Sequence, residues 1–84
     1  MSLKLYLVTC ELRQPDDYQS FQARLRALDA RQVLSAQWAL RSTYTATELR
    51  DLLRASLHEG DRLVVTEVGQ EWASRKALAN LGQM

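Results

Sequence analysis

The sequence predicts an α+β domain in which one antiparallel sheet carries both of its helices on the same face. Two strongly apolar strand candidates predict the sheet: Leu3 to Cys10 near the start and Leu63 to Val68 late in the chain. Two stretches of helical period, Tyr18 to Leu28 and Thr45 to Leu57, alternate with the strands. No repeat, low-complexity run or Pro/Gly linker interrupts the order.

Leu3, Leu5 and Leu7 point to one side of the first strand, and Lys4, Tyr6, Val8 and Cys10 to the other. Both sides are mostly apolar, the pattern of a strand covered on both faces. Arg13-Gln14-Pro15-Asp16 breaks it: Pro15 sets a turn and Asp16 is placed to cap a helix. Tyr18, Phe21, Leu25 and Leu28 then fall on one helical face, and Asp29-Ala30 ends the helix. Arg31 to Ser42 reads either as two strands with a tight break at Ser35-Ala36 or as one strand with a bulge, with Trp38 and Leu40 sharing a face. Thr45-Ala46-Thr47-Glu48 has the form of a capping box. Leu49, Leu52, Leu53 and Leu57 continue the second helix, with His58 expected in its last turn and Gly60 as its left-handed stop. Beyond Gly69, Trp72, Ala73, Ala77, Leu78 and Leu81 suit a weak amphipathic helix, or else a short edge strand near Trp72 that pairs with a second subunit. Two strand–helix–strand units around a central hairpin make the split, ferredoxin-like β-α-β-β-α-β arrangement, with both helices on one face. Its other face is left partly apolar, which marks an interaction surface.

Composition narrows the functional classes. The 84 residues make one domain, 1–84, with a thin core, so self-association as a homodimer is expected. The net charge of +1 leaves any nucleic-acid binding to a local basic patch. One cysteine forms no intramolecular disulfide, and one His with one Cys makes no metal cluster. The start of the chain lacks a signal-like pattern, and no apolar run approaches the ~20 residues of a membrane span. The expectation is a soluble cytoplasmic protein with no membrane partner.

The opening Tyr6-Leu7-Val8-Thr9-Cys10-Glu11-Leu12, the Ala36-Gln37-Trp38 segment, the polar-started helix Thr45 to Leu53 and the strand Asp61-Arg62-Leu63-Val64-Val65 together resemble the small CRISPR-associated Cas-two family and its Cas-two-like relatives. Glu71-Trp72-Ala73-Ser74 is similar to the shorter phage and bacterial relatives. The likeness covers about residues 3 to 74 and rests on order and spacing. It implies a homodimer built through the sheet faces, with the acids at the ends of the two first strands approaching across the axis. There they hold one divalent cation, Mg2+ or Mn2+. Some members are metal-dependent nucleases of RNA or DNA, and others are non-catalytic dimers that hold duplex DNA. This chain departs from the pattern at three places. Glu11 stands where the family has Asp, Cys10 where it has an aromatic, and only Arg13 remains of a basic run, followed by Asp16 and Asp17.

Glu11 is the one candidate catalytic and metal-binding position; the plainer reading is a solvated carboxylate at a strand end. Arg13, Arg31, Arg41 and Arg62 are candidates for a phosphate-binding rim, against a dispersed, solvated surface. Cys10 reads as an inert core thiol and His58 as a surface residue. Trp38 and Trp72 read as core or interface anchors before they read as base-stacking platforms. Three functions follow: a binding or assembly dimer acting on nucleic acid, a metal-dependent nuclease using Glu11 of each subunit, and a module binding a protein partner in a toxin–antitoxin or phage system.

Overall fold

The computed structural model describes residues 3–13, 18–69, 73, 75 and 77–79. The elements run β1 (Lys4–Glu11), α1 (Gln19–Ala27), β2 (Arg31–Leu34), β3 (Gln37–Ser42), α2 (Ala46–Arg54) and β4 (Arg62–Glu67). The strands form one antiparallel sheet in the order β2-β3-β1-β4. This is the ferredoxin-like arrangement, with β1 in the centre as its two apolar sides require.

The even residues of β1, Tyr6, Val8 and Cys10, face the helices. They meet Phe21 and Leu25 of α1, Leu49 and Leu53 of α2, and Leu40 of β3 in the main core. Tyr6 keeps its phenol satisfied there by donating to the Tyr44 carbonyl at 2.7 Å. Leu5 and Leu7 face the other way, joining Val33, Ala39 and Val68 in a smaller cluster. That second face is not left bare. Ala77 packs on the cluster, and the Leu78 N–H donates to the Val33 carbonyl at 2.7 Å. Val33 is available because β2 and β3 are joined by a two-residue turn, Ser35-Ala36, and also lose register at Val33. The two-strand reading of Arg31 to Ser42 therefore holds and the single-strand reading does not, although β2 also carries a bulge. The bulge takes Val33 out of the regular ladder and leaves its carbonyl for another donor.

The helix starts differ. Thr45 caps α2 in the full reciprocal box: its Oγ1 accepts from Glu48 N–H at 3.1 Å, and the Glu48 carboxylate accepts from Thr45 N–H at 2.9 Å. α1 begins with Tyr18 at the N-cap and no side-chain cap. The expected Asp16 and Asp17 contributions lie outside the described residues, as do Trp72 and Leu81 of the tail. The described tail residues are not helical.

α1 ends in a Schellman motif. Ala30 N–H reaches the Leu25 carbonyl at 2.9 Å, and Asp29 N–H reaches the Arg26 carbonyl at 2.9 Å. Asp29 adopts φ 59°, a left-handed conformation that costs a residue with a Cβ. Asp29→Gly is therefore expected to stabilise the protein by about 0.5–1 kcal/mol, and Asp29→Val to destabilise it. Urea denaturation midpoints check both.

One sequence expectation is corrected at α2. The helix stops at Arg54, so His58 lies four residues beyond it. Ser56 N–H bonds to Leu53 and Leu57 N–H to Arg54, the tighter i→i−3 spacing that closes a helix end. Leu57 keeps the apolar period because the chain folds back and packs it on the core. Gly60 does adopt a left-handed φ of 94°, but in the loop entering β4. A Cβ there would sit 2.8 Å from Arg13 Cδ, so the close approach of Arg13 also calls for glycine.

Candidate functional site

β1 exits beside the entry to β4, and most of the ionisable groups singled out above gather at this end of the sheet. Glu11 pairs in register with Arg62, and their side chains meet at 3.9 Å, both largely exposed. An ion pair this open adds little stability and leaves both groups reachable from solvent.

One loop further in lies a group the sequence did not disclose. The Asp61 carboxylate accepts three hydrogen bonds: from Tyr18 Oη at 2.5 Å, Arg13 N–H at 2.9 Å and His58 N–H at 2.7 Å. Asp61 N–H in turn donates to the His58 carbonyl. The Tyr18 ring is buried and makes edge-to-face contacts with His58, at 5.3 Å between centroids, and with Phe21. Partial burial pulls the Asp61 carboxyl upward. The bonds from Tyr18, Arg13 and His58, with the charge of His58, outweigh it and hold the group below its ordinary value. This carboxylate ties the β1 exit, the start of α1 and the β4 entry together. With three donors from three segments, it serves as a structural anchor. The only local sign in the sequence is His58-Glu59-Gly60-Asp61, a turn composition; the other partners come from 43 and 48 residues away.

The four candidate arginines separate. Arg13 turns toward the loop, its guanidinium on the Glu59 carbonyl at 3.4 Å. Arg31, Arg41 and Arg62 pair in register with Ala39, Leu5 and Glu11, which puts all three on the sheet face away from the helices. They are spread out. Arg41 lies six residues from Arg62 along β1, about 20 Å, and Arg31 stands two strands from β1, about 10 Å. Among the strand residues of that face the only carboxylate is Glu11. The face thus carries dispersed positive charge around the apolar cluster that Ala77 covers.

A cleft of about 570 Å³ lies between the end of α2 and the β4 entry, lined by Arg50, Arg54, His58, Glu59 and Asp61. Its two arginines are balanced by its two carboxylates, and Arg50 is already paired with Asp51 at 3.0 Å. A second pocket, about 330 Å³, is walled by Phe21 and Trp38 with Cys10 at its base. Cys10 is buried and donates weakly to the Ala36 carbonyl at 3.6 Å. Burial, and then the charge of Asp61, push its thiol up, away from the reactive thiolate. Trp38 lies on the helix side against the core, so it offers no stacking platform on the arginine face.

Among the described residues no three His, Cys, Asp or Glu side chains converge. Glu11 faces Arg62, and Asp61 already accepts three hydrogen bonds from protein donors. One chain by itself does not fit a divalent cation. No helix among the described residues is long and apolar enough to cross a membrane. No protein-family model matches the chain, and neither does any curated protein or solved structure.

Proposed function

We propose that this protein is a Cas-two-like homodimeric module that binds nucleic acid through the helix-free face of its sheet, in an assembly role and without cleavage. The observation that carries this reading is the common orientation of Arg31, Arg41 and Arg62 on that face, opposed there by Glu11 alone among the strand residues. Guanidinium groups spaced over a flat sheet suit the phosphates of a backbone, and such contacts hold without reading sequence. Binding of this kind releases counterions and weakens with salt.

The test is fluorescence anisotropy of labelled DNA and RNA duplexes across a salt series. The wild type is expected to bind with a negative slope of log K against log salt. Arg31→Ala, Arg41→Ala and Arg62→Ala are each expected to flatten that slope by about one. Absence of binding at about 100 μM protein, the weak end of non-specific affinity, removes the proposal. The same samples with Mg2+ or Mn2+ decide the nuclease alternative: cleavage that disappears in Glu11→Gln would replace assembly with catalysis.

A further inference from the structure

The two edges of the sheet are not equivalent. The β2 edge is broken by the bulge at Val33, whose carbonyl takes the Leu78 N–H. The β4 edge has neither device. Its register with β1 runs without a shift from Arg62 to Glu67, and no described residue pairs with its outer side. It contains no Gly or Pro, and Val64 is 59% exposed. An uninterrupted, β-branched edge with unpaired main-chain groups is a template for another strand.

The hydrogen-bonding groups on that edge can be assigned. Val68 N–H donates inward to the Leu5 carbonyl at 2.8 Å. Main-chain direction alternates along an antiparallel strand, so Val64 and Thr66 also bond inward, and Leu63, Val65 and Glu67 present N–H and C=O outward. We infer that β4 pairs with β4 of a second copy of this chain, antiparallel, about a two-fold axis at Val64. This rests on the homodimer in the reading above, but places its contact at the sheet edge and not at the sheet faces that the resemblance implies.

A two-fold axis normal to the sheet keeps both helix layers on one side. Centred on Val64, it sets Val64 against the partner's Val64 on the helix-free face. It sets Leu63 against the partner's Val65 on the helix side. Leu63 and Val65 of each copy then exchange about four main-chain hydrogen bonds. Centring on Val65 would instead place Leu63 opposite the partner's Glu67, an apolar group against a carboxylate. The chosen register matches apolar with apolar at its central pairs, Val64 with the partner's Val64 and Leu63 with the partner's Val65, and sets Arg62 opposite the partner's Thr66 beside them. It also runs the two arginine faces together into one continuous surface. The backbones at the two Glu11 positions then stand about 19 Å apart, three strand spacings across and four residues along, so this dimer forms no shared cation site.

Val64 and the partner's Val64 form a non-hydrogen-bonded pair, with Cβ atoms about 4.5–5.5 Å apart. That is near the separation a disulfide bridges. Under a mild thiol oxidant, Val64→Cys is expected to give a covalent species at twice the 9.6 kDa chain mass. Thr66→Cys, exposed on the same face two residues on, is expected to stay at the mass of a single chain. Wild type is the blank, since its one thiol is buried. No crosslink at position 64, or equal crosslinking at 64 and 66, overturns the inference. Independently, Val64→Lys puts two ammonium groups together on the axis and is expected to convert the dimer to monomer by sedimentation, with its far-ultraviolet spectrum unchanged. A wild type monomeric at about 100 μM, or a dimer that survives Val64→Lys, also overturns it. Anisotropy on the same variants keeps the two proposals apart. A crosslinked dimer that binds no duplex removes the nucleic-acid reading alone; duplex binding without crosslinking removes the β4 contact alone.

Discussion

Phe21→Ala is expected to produce a large loss of stability, about 3–5 kcal/mol. Phe21 is 1% exposed, sits between α1 and the helix side of the sheet, and contacts the Tyr18 ring edge-on. Truncating a buried phenylalanine costs about 3–5 kcal/mol, from lost transfer energy and the cavity left behind. A domain of this length has a total stability of roughly 4–13 kcal/mol, so one substitution removes about a quarter of it or more. Phe21 also walls the pocket beside Trp38, so part of the space it vacates joins that pocket. Urea melts followed by Trp fluorescence check this. A midpoint within error of wild type would show that the α1 packing is not the main source of stability. Phe21→Leu, which keeps most of the volume, is expected to recover more than half of the loss.

Asp61→Ala is expected to produce the second large effect, and one that depends on pH. The substitution leaves the buried Tyr18 hydroxyl and the Arg13 and His58 N–H groups without their shared acceptor. Tyr18→Phe removes only the hydroxyl and is expected to cost about 1 kcal/mol. Asp61→Ala removes all three bonds and costs more. The folded-state carboxyl lies below its ordinary value of 3.8. Its stabilisation is therefore fully present above pH ~4 and is lost as pH falls through the lower folded value. Denaturation midpoints compared between pH 7 and pH 3 should show a smaller acid loss in Asp61→Ala than in wild type. Equal acid loss in the two proteins would mean that other carboxylates account for it.

The contrast between these two residues shows what a linear reading reaches. Phe21 was legible because helical spacing with Tyr18 and Leu25 announces a buried face. Val8 and Leu40 were legible because alternation does the same for strands. The capping box at Thr45 was legible because all of its parts lie within four residues. The end of α2 was not. Apolar spacing records which side chains are buried, and Leu57 is half-buried whether or not its backbone is helical. The Asp61 anchor was hidden for another reason: its partners Arg13 and Tyr18 are brought to it by the fold. Tyr18 was assigned to a helix face, correctly as to burial, yet its hydroxyl serves a loop at the far end of the chain. For the arginines, parity along the strands was enough to place Arg41 and Arg62 on sides of the sheet. Register between strands was needed to learn that Arg31 joins them and Arg13 does not.

The bulge at Val33 governs how far association can go. A sheet with two open edges adds copies at both and grows into a fibre. Here the bulge distorts the β2 edge, and Leu78 takes its freed carbonyl. Among the described residues only the β4 edge is left to recruit a strand, and the two-fold pairing proposed above would consume it in both copies. On that proposal the assembly would close at two, and an apolar edge that would otherwise seed polymerisation would become a terminating contact. Disrupting the Leu78 bond while keeping Val64 is the change that would reopen the second edge, and its signature would be filaments in place of dimers.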